Sequence, residues 1–236
     1  MSAETARASL NTPGASPTLE LLTLSLPIIA MAVSRMLMGF IDFVMVSQLG
    51  TAYQAAISPA TAMVFAILSF GLGAAGSVQT FASQADGRGQ PEQGSAYAWQ
   101  SFYVAALLGL LIWPVTLGIP AFFEWLGELA GHDPLVRGLE ADFVSIALWS
   151  MTPAVISAGL DGFFNGIQKP RIGLTAVVIS LTFHVAANYV LIFGKLGFPA
   201  MGIEGSALAT VLAWCVRAGV LLIVFCSPAF HARYHT

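Results

Sequence analysis

The residue with the clearest chemical consequence is Asp42, near the far end of an apolar run from Leu19 to about Val46. An ionised carboxylate inside a membrane span costs roughly 2.5–3.5 kcal/mol on insertion scales. Such a residue is usually retained because it faces a cavity, a partner or an ion path. If the run crosses a membrane, Asp42 therefore predicts an ion-binding or ion-coupling site.

The composition favours lipid as the solvent. Hydrophobic residues make up 57% of the chain and charged residues only 9%, with a mean hydropathy of +0.79. A soluble domain carries about 25% charged residues, so these few charges could not cover its surface. The net charge is −3 and no basic block occurs, which argues against a nucleic-acid partner.

Six segments are long and apolar enough to cross a bilayer, which takes about 20 residues. Their approximate bounds are 19–46, 55–84, 95–122, 138–165, 172–194 and 201–228. The predicted fold class is an all-α membrane protein, a bundle of six transmembrane helices over 19–228. A disordered arm is predicted at 1–18, and a cytoplasmic tail or the start of a linker at 229–236.

Basic residues predict the orientation, because cytoplasmic segments are enriched in Lys and Arg. With the N-terminus inside, the inner segments hold Arg7, Arg88, Lys169, Arg171 and Arg233, and the outer loops hold Arg137 and Lys195. Both termini are therefore expected in the cytoplasm. The protein is expected in the inner or plasma membrane of the cell.

Span direction predicts which polar residues share a depth. Asp42 falls in the outer third of the first span, and His184 and Asn188 fall at a similar depth in the fifth. The spacing i, i+4 puts His184 and Asn188 on one helix face. A carboxylate and an amide suit H⁺ or Na⁺, with Na⁺ ligation possible at Asp42 and Asn188. The alternative is that His184 and Asn188 simply bond a neighbouring helix.

Other intramembrane residues are harder to place. Asp161 and Asn165 lie one turn apart near the cytoplasmic end of the fourth span, where they either reach the headgroups or line the same cavity. Arg35 lies seven residues before Asp42, about 10 Å deeper on the same face, so its partner is expected on another span. Met38, Phe70 and Phe164 are candidates for an adaptable cavity wall, against lipid contact or helix packing.

No enzyme or cofactor motif is convincing. The segment Gly71–Gly76 fits G-x-G-x-x-G but lies inside a charge-free span, where small residues that let helices approach explain it better. HExxH, CxxC, GxSxG and P-loop patterns do not occur. We therefore predict a protein that is not an enzyme and needs no cofactor.

Four segments in order resemble the N-terminal half of the multidrug and toxic compound extrusion (MATE) family. They are LPIIAMAVSRMLMGFIDFVMVSQLG, TFASQADGRGQ, GLDGFFNGIQKPR and ANYVLIFGKLGFPAMGIEGSALAT, and they cover about residues 20–215. The resemblance implies one lobe of a twelve-helix antiporter that exports organic, often cationic, compounds in exchange for H⁺ or Na⁺. It also implies a second six-helix lobe, from the same native chain or another copy.

The resemblance assigns roles to individual residues. Asp42 matches the family's ion-binding aspartate of the first helix, and Asn188 matches a fifth-helix position held by Asp or Asn. Asp161 and Thr210 resemble further members of the same polar cluster. His184 replaces an Asn of the family, which mildly favours protons because histidine titrates near pH 6.5. The alternatives are a non-transporting six-span module and a related flippase for lipid-linked sugars, which would need a more basic cavity.

Overall fold

A computed structural model of the chain describes residues 17–131, 133–234 and 236. Most of the predicted arm, residues 1–16, lies outside the described residues. The described part is helical, with six helices or helix pairs long and apolar enough to span a membrane. The predicted fold class of an all-α bundle with six spanning helices is confirmed.

The first three spans are formed by four helices. Helix α1 is Pro17–Ser47, α2 is Thr51–Gly76, α3 is Val78–Gly87 and α4 is Pro91–Ala130. The second span is interrupted at Ser77, where α2 passes into α3. Helix α3 ends three residues past the predicted bound of 84, and α4 begins four residues before 95 and ends eight residues after 122.

The remaining spans are α5 with α6, then α7, then α8. Helix α5 is Pro134–Ala147, and a 3₁₀ turn at Leu148–Ser150 joins it to α6, Met151–Gly166. Helix α7 is Pro170–Phe193 and α8 is Gly202–Phe225. Prolines at the first helical position begin α4, α5 and α7, where the missing N–H costs no helical bond. The Asp133 carboxylate caps α5 by accepting from the Leu135 N–H at 2.8 Å.

Small residues set how closely the helices pack. A Cβ on Gly71 would lie 2.6 Å from Val155 Cγ2, so this glycine lets α2 approach α6, whereas Gly73 and Gly76 face open space. A Cβ on Gly205 would lie 2.7 Å from the Leu191 carbonyl carbon. Since lipid gives little hydrophobic drive to helix association, such close backbone contact is a main source of stability. It holds α8 against α7.

The predicted tail forms a short helix, α9, at Pro228–Tyr234. Its Phe230 and Tyr234 rings are buried among Phe163, Phe164 and Phe225. The Tyr234 carbonyl accepts a hydrogen bond from Ser95 Oγ at 2.6 Å. Burial raises the pKa of the Tyr234 phenol above its ordinary value, so this ring stays neutral in its apolar site.

Many large apolar side chains are exposed on the outer helix faces. Leu110, Leu117 and Ile223 are examples, each more than two-thirds exposed. A water-soluble protein would not present so much contiguous apolar surface. These faces fit contact with lipid acyl chains.

Candidate functional site

Three helices bring a set of polar side chains together near one end of the bundle. Asp42 lies five residues before the end of α1, and Ser206 lies in the first turns of α8. His184 and Asn188 lie on the neighbouring helix α7, against which α8 is held by the Gly205 contact. The structure brings the side chains of Asp42, His184 and Asn188 into contact.

The Asp42 carboxylate is the centre of this polar cluster, which we define as Asp42, His184, Asn188, Ser206 and Thr210. Oδ1 accepts from Asn188 Nδ2 at 2.6 Å and from Ser206 Oγ at 3.0 Å. His184 Nε2 lies 3.2 Å from the same oxygen. Oδ2 accepts a longer bond from Thr210 Oγ1, at 3.4 Å.

The cluster is almost closed to the outside. Asp42 is 3% exposed, and His184, Asn188 and Ser206 are 0% exposed. Side-chain donors from Asn188, Ser206 and Thr210 satisfy the carboxylate oxygens, as the burial of a polar group requires. Among the described residues, His184 Nδ1 and Asn188 Oδ1 are buried without a hydrogen-bond partner. Unused acceptor capacity beside a carboxylate is suited to receiving a small cation.

The His184 ring has two possible arrangements within the cluster. Its Nε2 lies 3.3 Å from both Thr210 Oγ1 and Asn188 Nδ2, in addition to Asp42. A protonated Nε2 donates to the Asp42 carboxylate, whereas an unprotonated Nε2 accepts from the amide. The presence or absence of a proton on His184 Nε2 thus decides whether this nitrogen bonds the Asp42 carboxylate or the Asn188 amide.

A cleft of about 700 Å³ runs beside the cluster, and Asp42 and Thr210 form part of its wall. The remaining wall is mostly apolar and comes from α1, α2 and α8, with Ser150 of the 3₁₀ turn. It includes Met36, Met38, Val64, Phe65, Leu68, Leu72 and Trp214, together with Arg35. This volume is within the range of sites that bind drug-sized molecules, about 300–1,000 Å³.

Asp161 does not join the polar cluster. Its Oδ2 accepts from Arg217 Nη2 at 2.5 Å, in a pair that is mostly buried between α6 and α8. Arg217 also lies over the Trp214 ring, 5.3 Å from its centroid. Arg217 is seven residues after Thr210, so this ion pair is about 10 Å along the axis from the cluster.

The predicted cavity wall is only partly found at the cleft. Met38 lines it. Phe70 is 81% exposed on the outer face of α2, and Phe164 is fully buried in the aromatic cluster under α9. Asn165 is partly buried on α6, one turn beyond Asp161, with an unpartnered Oδ1. The structure thus locates these last three residues away from the cleft.

Ser206 is the member of the cluster that the sequence reasoning missed. It lies in the small-residue run GSALAT, where a serine is an ordinary helix-packing residue. Its i, i+4 spacing to Thr210 was the available signal, because it places both hydroxyls on one face of α8. Within the described residues, no three His, Cys, Asp or Glu side chains group together to hold a metal ion.

Comparison with known proteins identifies the family. Residues 27–190 match the MatE family. The chain is 34% identical over 194 residues to a probable multidrug resistance protein NorM of Rhizobium meliloti, covering 80% of this chain and 40% of that protein. It is 29% identical over 210 residues to a NorM protein of Synechococcus, covering 89% and 44%.

Solved structures share the fold. The crystal structure of the eukaryotic MATE transporter AtDTX14 matches with a TM-score of 0.79 at 23% identity, over 92% of this chain and 47% of that chain. A MOP superfamily transporter from Pyrococcus furiosus matches with a TM-score of 0.78 at 19% identity, over 93% and 47%. The chain spans less than half the length of the relatives it matches. Its sequence and fold make it a member of the MATE family of integral membrane transporters, which are not enzymes.

Proposed function

We propose that this chain forms the N-terminal lobe of a secondary active antiporter, which exports organic, often cationic, compounds in exchange for H⁺ or Na⁺. The observation that carries the proposal is the buried Asp42 carboxylate at the wall of a drug-sized cleft. The relatives named multidrug resistance proteins support the export of drugs. No resident cofactor is part of the mechanism.

The coupling step follows from the geometry of the polar cluster. A proton on Asp42 would remove the charge that the donors of Asn188, Ser206 and Thr210 stabilise. Those donors would then be released to other partners, and α1, α7 and α8 would favour a different arrangement. An ion shifts such an equilibrium only by its differential affinity for the two states. The cluster supplies this difference because its contacts depend on the charge of Asp42.

Na⁺ would use the same side chains in another way. The Asp42 carboxylate, the Asn188 amide oxygen and the hydroxyls of Ser206 and Thr210 are all hard oxygen ligands. Binding would require the amide to turn its oxygen toward the ion, since its nitrogen now faces Asp42. His184 would have to be neutral.

The second lobe would supply the other wall of the cleft. The lining residues come from α1, α2, α8 and Ser150. The matched structures are about twice as long as this chain. A second six-helix lobe, in the same native chain or in another copy, would close the site and allow the two halves to rock against each other.

The test measures counter-transport. The protein is purified from its source membrane and reconstituted into liposomes. Uptake of a fluorescent organic cation is followed after imposing a pH gradient, and separately after imposing a Na⁺ gradient. We expect one gradient to drive uptake and the variant Asp42→Asn to abolish that response. The control Asp142→Asn, an exposed carboxylate that neither bonds Asp42 nor lines the cleft, should behave as wild type. Gradient-driven transport by Asp42→Asn would contradict the coupling role.

A further inference from the structure

Asp161 has one oxygen that its pair with Arg217 leaves unused. Its Oδ2 accepts the hydrogen bond from Arg217, whereas Oδ1 is buried and has no hydrogen-bond partner in the described part of the chain. The Arg217 guanidinium is bound through a single nitrogen, Nη2, and its buried Nε has no partner there either. An arginine and a carboxylate in their best geometry form two parallel bonds. This pair is therefore incompletely matched, and Asp161 keeps the capacity to accept from another donor.

The unused oxygen faces helix α1 across Gly173 of α7. A Cβ added to Gly173 would lie 2.7 Å from Asp161 Oδ1 and 2.8 Å from Met31 Sδ, so both atoms border the same gap. Met31 is buried on α1, four residues before Arg35. This spacing puts the two side chains on one face of the helix, about 6 Å apart along its axis. Asp161 Oδ1 therefore opens toward the face of α1 that carries Arg35.

Arg35 is a second cation beside this carboxylate. Its side chain is exposed at the cleft, and across residues 17–131, 133–234 and 236 no hydrogen bond or ion pair holds its guanidinium. Its charge interacts with those of Asp161 and Arg217. A cation inside a membrane span is costly unless it meets a partner or water. The interior thus holds two guanidinium groups and one carboxylate that both can approach.

We propose that Arg35 and Arg217 are alternative partners of Asp161. In the state that the structure describes, Arg217 of α8 binds the carboxylate and Arg35 stays at the cleft. In a second state Arg35 binds Oδ1, which ties α1 to α6, and Arg217 is released. The two pairings exclude each other because one carboxylate neutralises one guanidinium, and a second buried cation on the same group would stay uncompensated.

The exchange would reach the cleft wall through Trp214. Arg217 lies over the Trp214 ring, and Trp214 lines the cleft. Release of Arg217 would free this ring from its neighbour, while Arg35 would leave the opposite part of the wall. Both changes occur without any contribution from Asp42. The exchange is therefore a conformational device of the lobe itself, and it does not depend on the proposed transport function.

Modification of arginine by phenylglyoxal tests the exchange, because the reagent labels accessible guanidinium groups and an ion pair protects them. The labelling rate of each arginine is measured by peptide mass spectrometry on the purified protein in lipid nanodiscs. We expect Arg217→Met, which frees the carboxylate, to slow the labelling of Arg35 roughly tenfold or more, the ratio that a charge-assisted hydrogen bond supports. Adding Asp161→Asn to that variant should restore the wild-type rate. Arg171, exposed in the first turn of α7, is the internal control and should be labelled equally in all three proteins.

Stability gives a second readout. Arg35→Gln should leave the unfolding equilibrium constant of the wild type nearly unchanged. In the Arg217→Met background it should raise that constant roughly tenfold or more, because Asp161 then loses its remaining cation. Arg35→Lys, which keeps the charge, should have a smaller effect in that background.

Three results would overturn the exchange. The first is unchanged labelling of Arg35 in Arg217→Met, and the second is an equal effect of Arg35→Gln on stability in both backgrounds. The third is an Arg217→Met protein that does not fold, because Arg35 would then fail to replace Arg217 as the partner of Asp161.

Discussion

Replacing Gly205 by alanine should separate α7 from α8 at the polar cluster. The added Cβ would lie 2.7 Å from the Leu191 carbonyl carbon, 2.8 Å from its oxygen and 3.0 Å from the Ile192 nitrogen. The optimum separation of two carbon atoms is about 3.5–4.0 Å, so the helices must move apart by about 0.8 Å or more. All three neighbours are backbone atoms, and no side-chain rotation can relieve the contact. Overpacking of this kind costs about 1–3 kcal/mol.

The displacement should also reach the ion-coupling residues. Ser206 follows Gly205 directly and donates to Asp42 Oδ1 at 3.0 Å. A shift of the size required would lengthen this bond beyond hydrogen-bonding distance. We therefore expect Gly205→Ala to lose stability and to weaken the response of transport to the driving ion gradient.

The assay is equilibrium unfolding in detergent by a graded denaturant, with transport in liposomes as the second readout. Gly219→Ala in the same helix is the matched control, since its Cβ would meet no atom within 4 Å. By helix propensity alone it should be neutral or more stable by up to about 1 kcal/mol. If Gly205→Ala unfolds at the same denaturant concentration as Gly219→Ala, the close contact between α7 and α8 is refuted.

Two further predictions concern residues outside the polar cluster. Asp161→Leu should lower the free energy of unfolding by about 3–5 kcal/mol, because it leaves the buried Arg217 guanidinium unpaired. The double variant Asp161→Leu with Arg217→Met should recover most of that loss in the same unfolding assay. An Asp161→Leu variant as stable as wild type would contradict the pairing. Phe164→Ala should lower the free energy of unfolding by about 3–5 kcal/mol through a cavity in the aromatic cluster, whereas Phe70→Ala on the exposed face should change it by less than about 0.5 kcal/mol. Neither phenylalanine variant should alter which compounds bind. A change of selectivity in Phe164→Ala would contradict the location of Phe164 outside the cleft.

The sequence predicted the spans and the main part of the cluster for physical reasons. Lipid demands about 20 apolar residues in each spanning helix, so the six spans stand out from the composition. Alternating span direction then assigns each residue a depth. That argument predicts the same depth for Asp42, His184 and Asn188. Asp42 and Asn188, which share a hydrogen bond, are 146 positions apart in the sequence.

Depth alone could not say which helices are neighbours. The depth argument puts Asp161 near the cytoplasmic end of the fourth span, and only the family resemblance links it to the Asp42 cluster. In the structure its carboxylate faces Arg217 on α8. The sequence likewise gave no means to tell the buried Phe164 from the exposed Phe70, because nearly every face of these helices is apolar. Which face meets lipid and which meets protein depends on the packing of small residues such as Gly71 and Gly205.

The long separation between Asp42 and its donors also has a consequence for biosynthesis. Asn188 and Ser206 follow Asp42 by 146 and 164 residues, and ribosomes add about 5–20 residues per second. The first span is therefore complete for roughly 7 to 30 s before its carboxylate can be bound by the fifth and sixth. During that interval the Asp42 carboxylate lacks these donors, so holding it inside the bilayer is costly unless water or another polar group reaches it. The sixth span then brings Ser206, the latest of these donors in the chain, to Asp42.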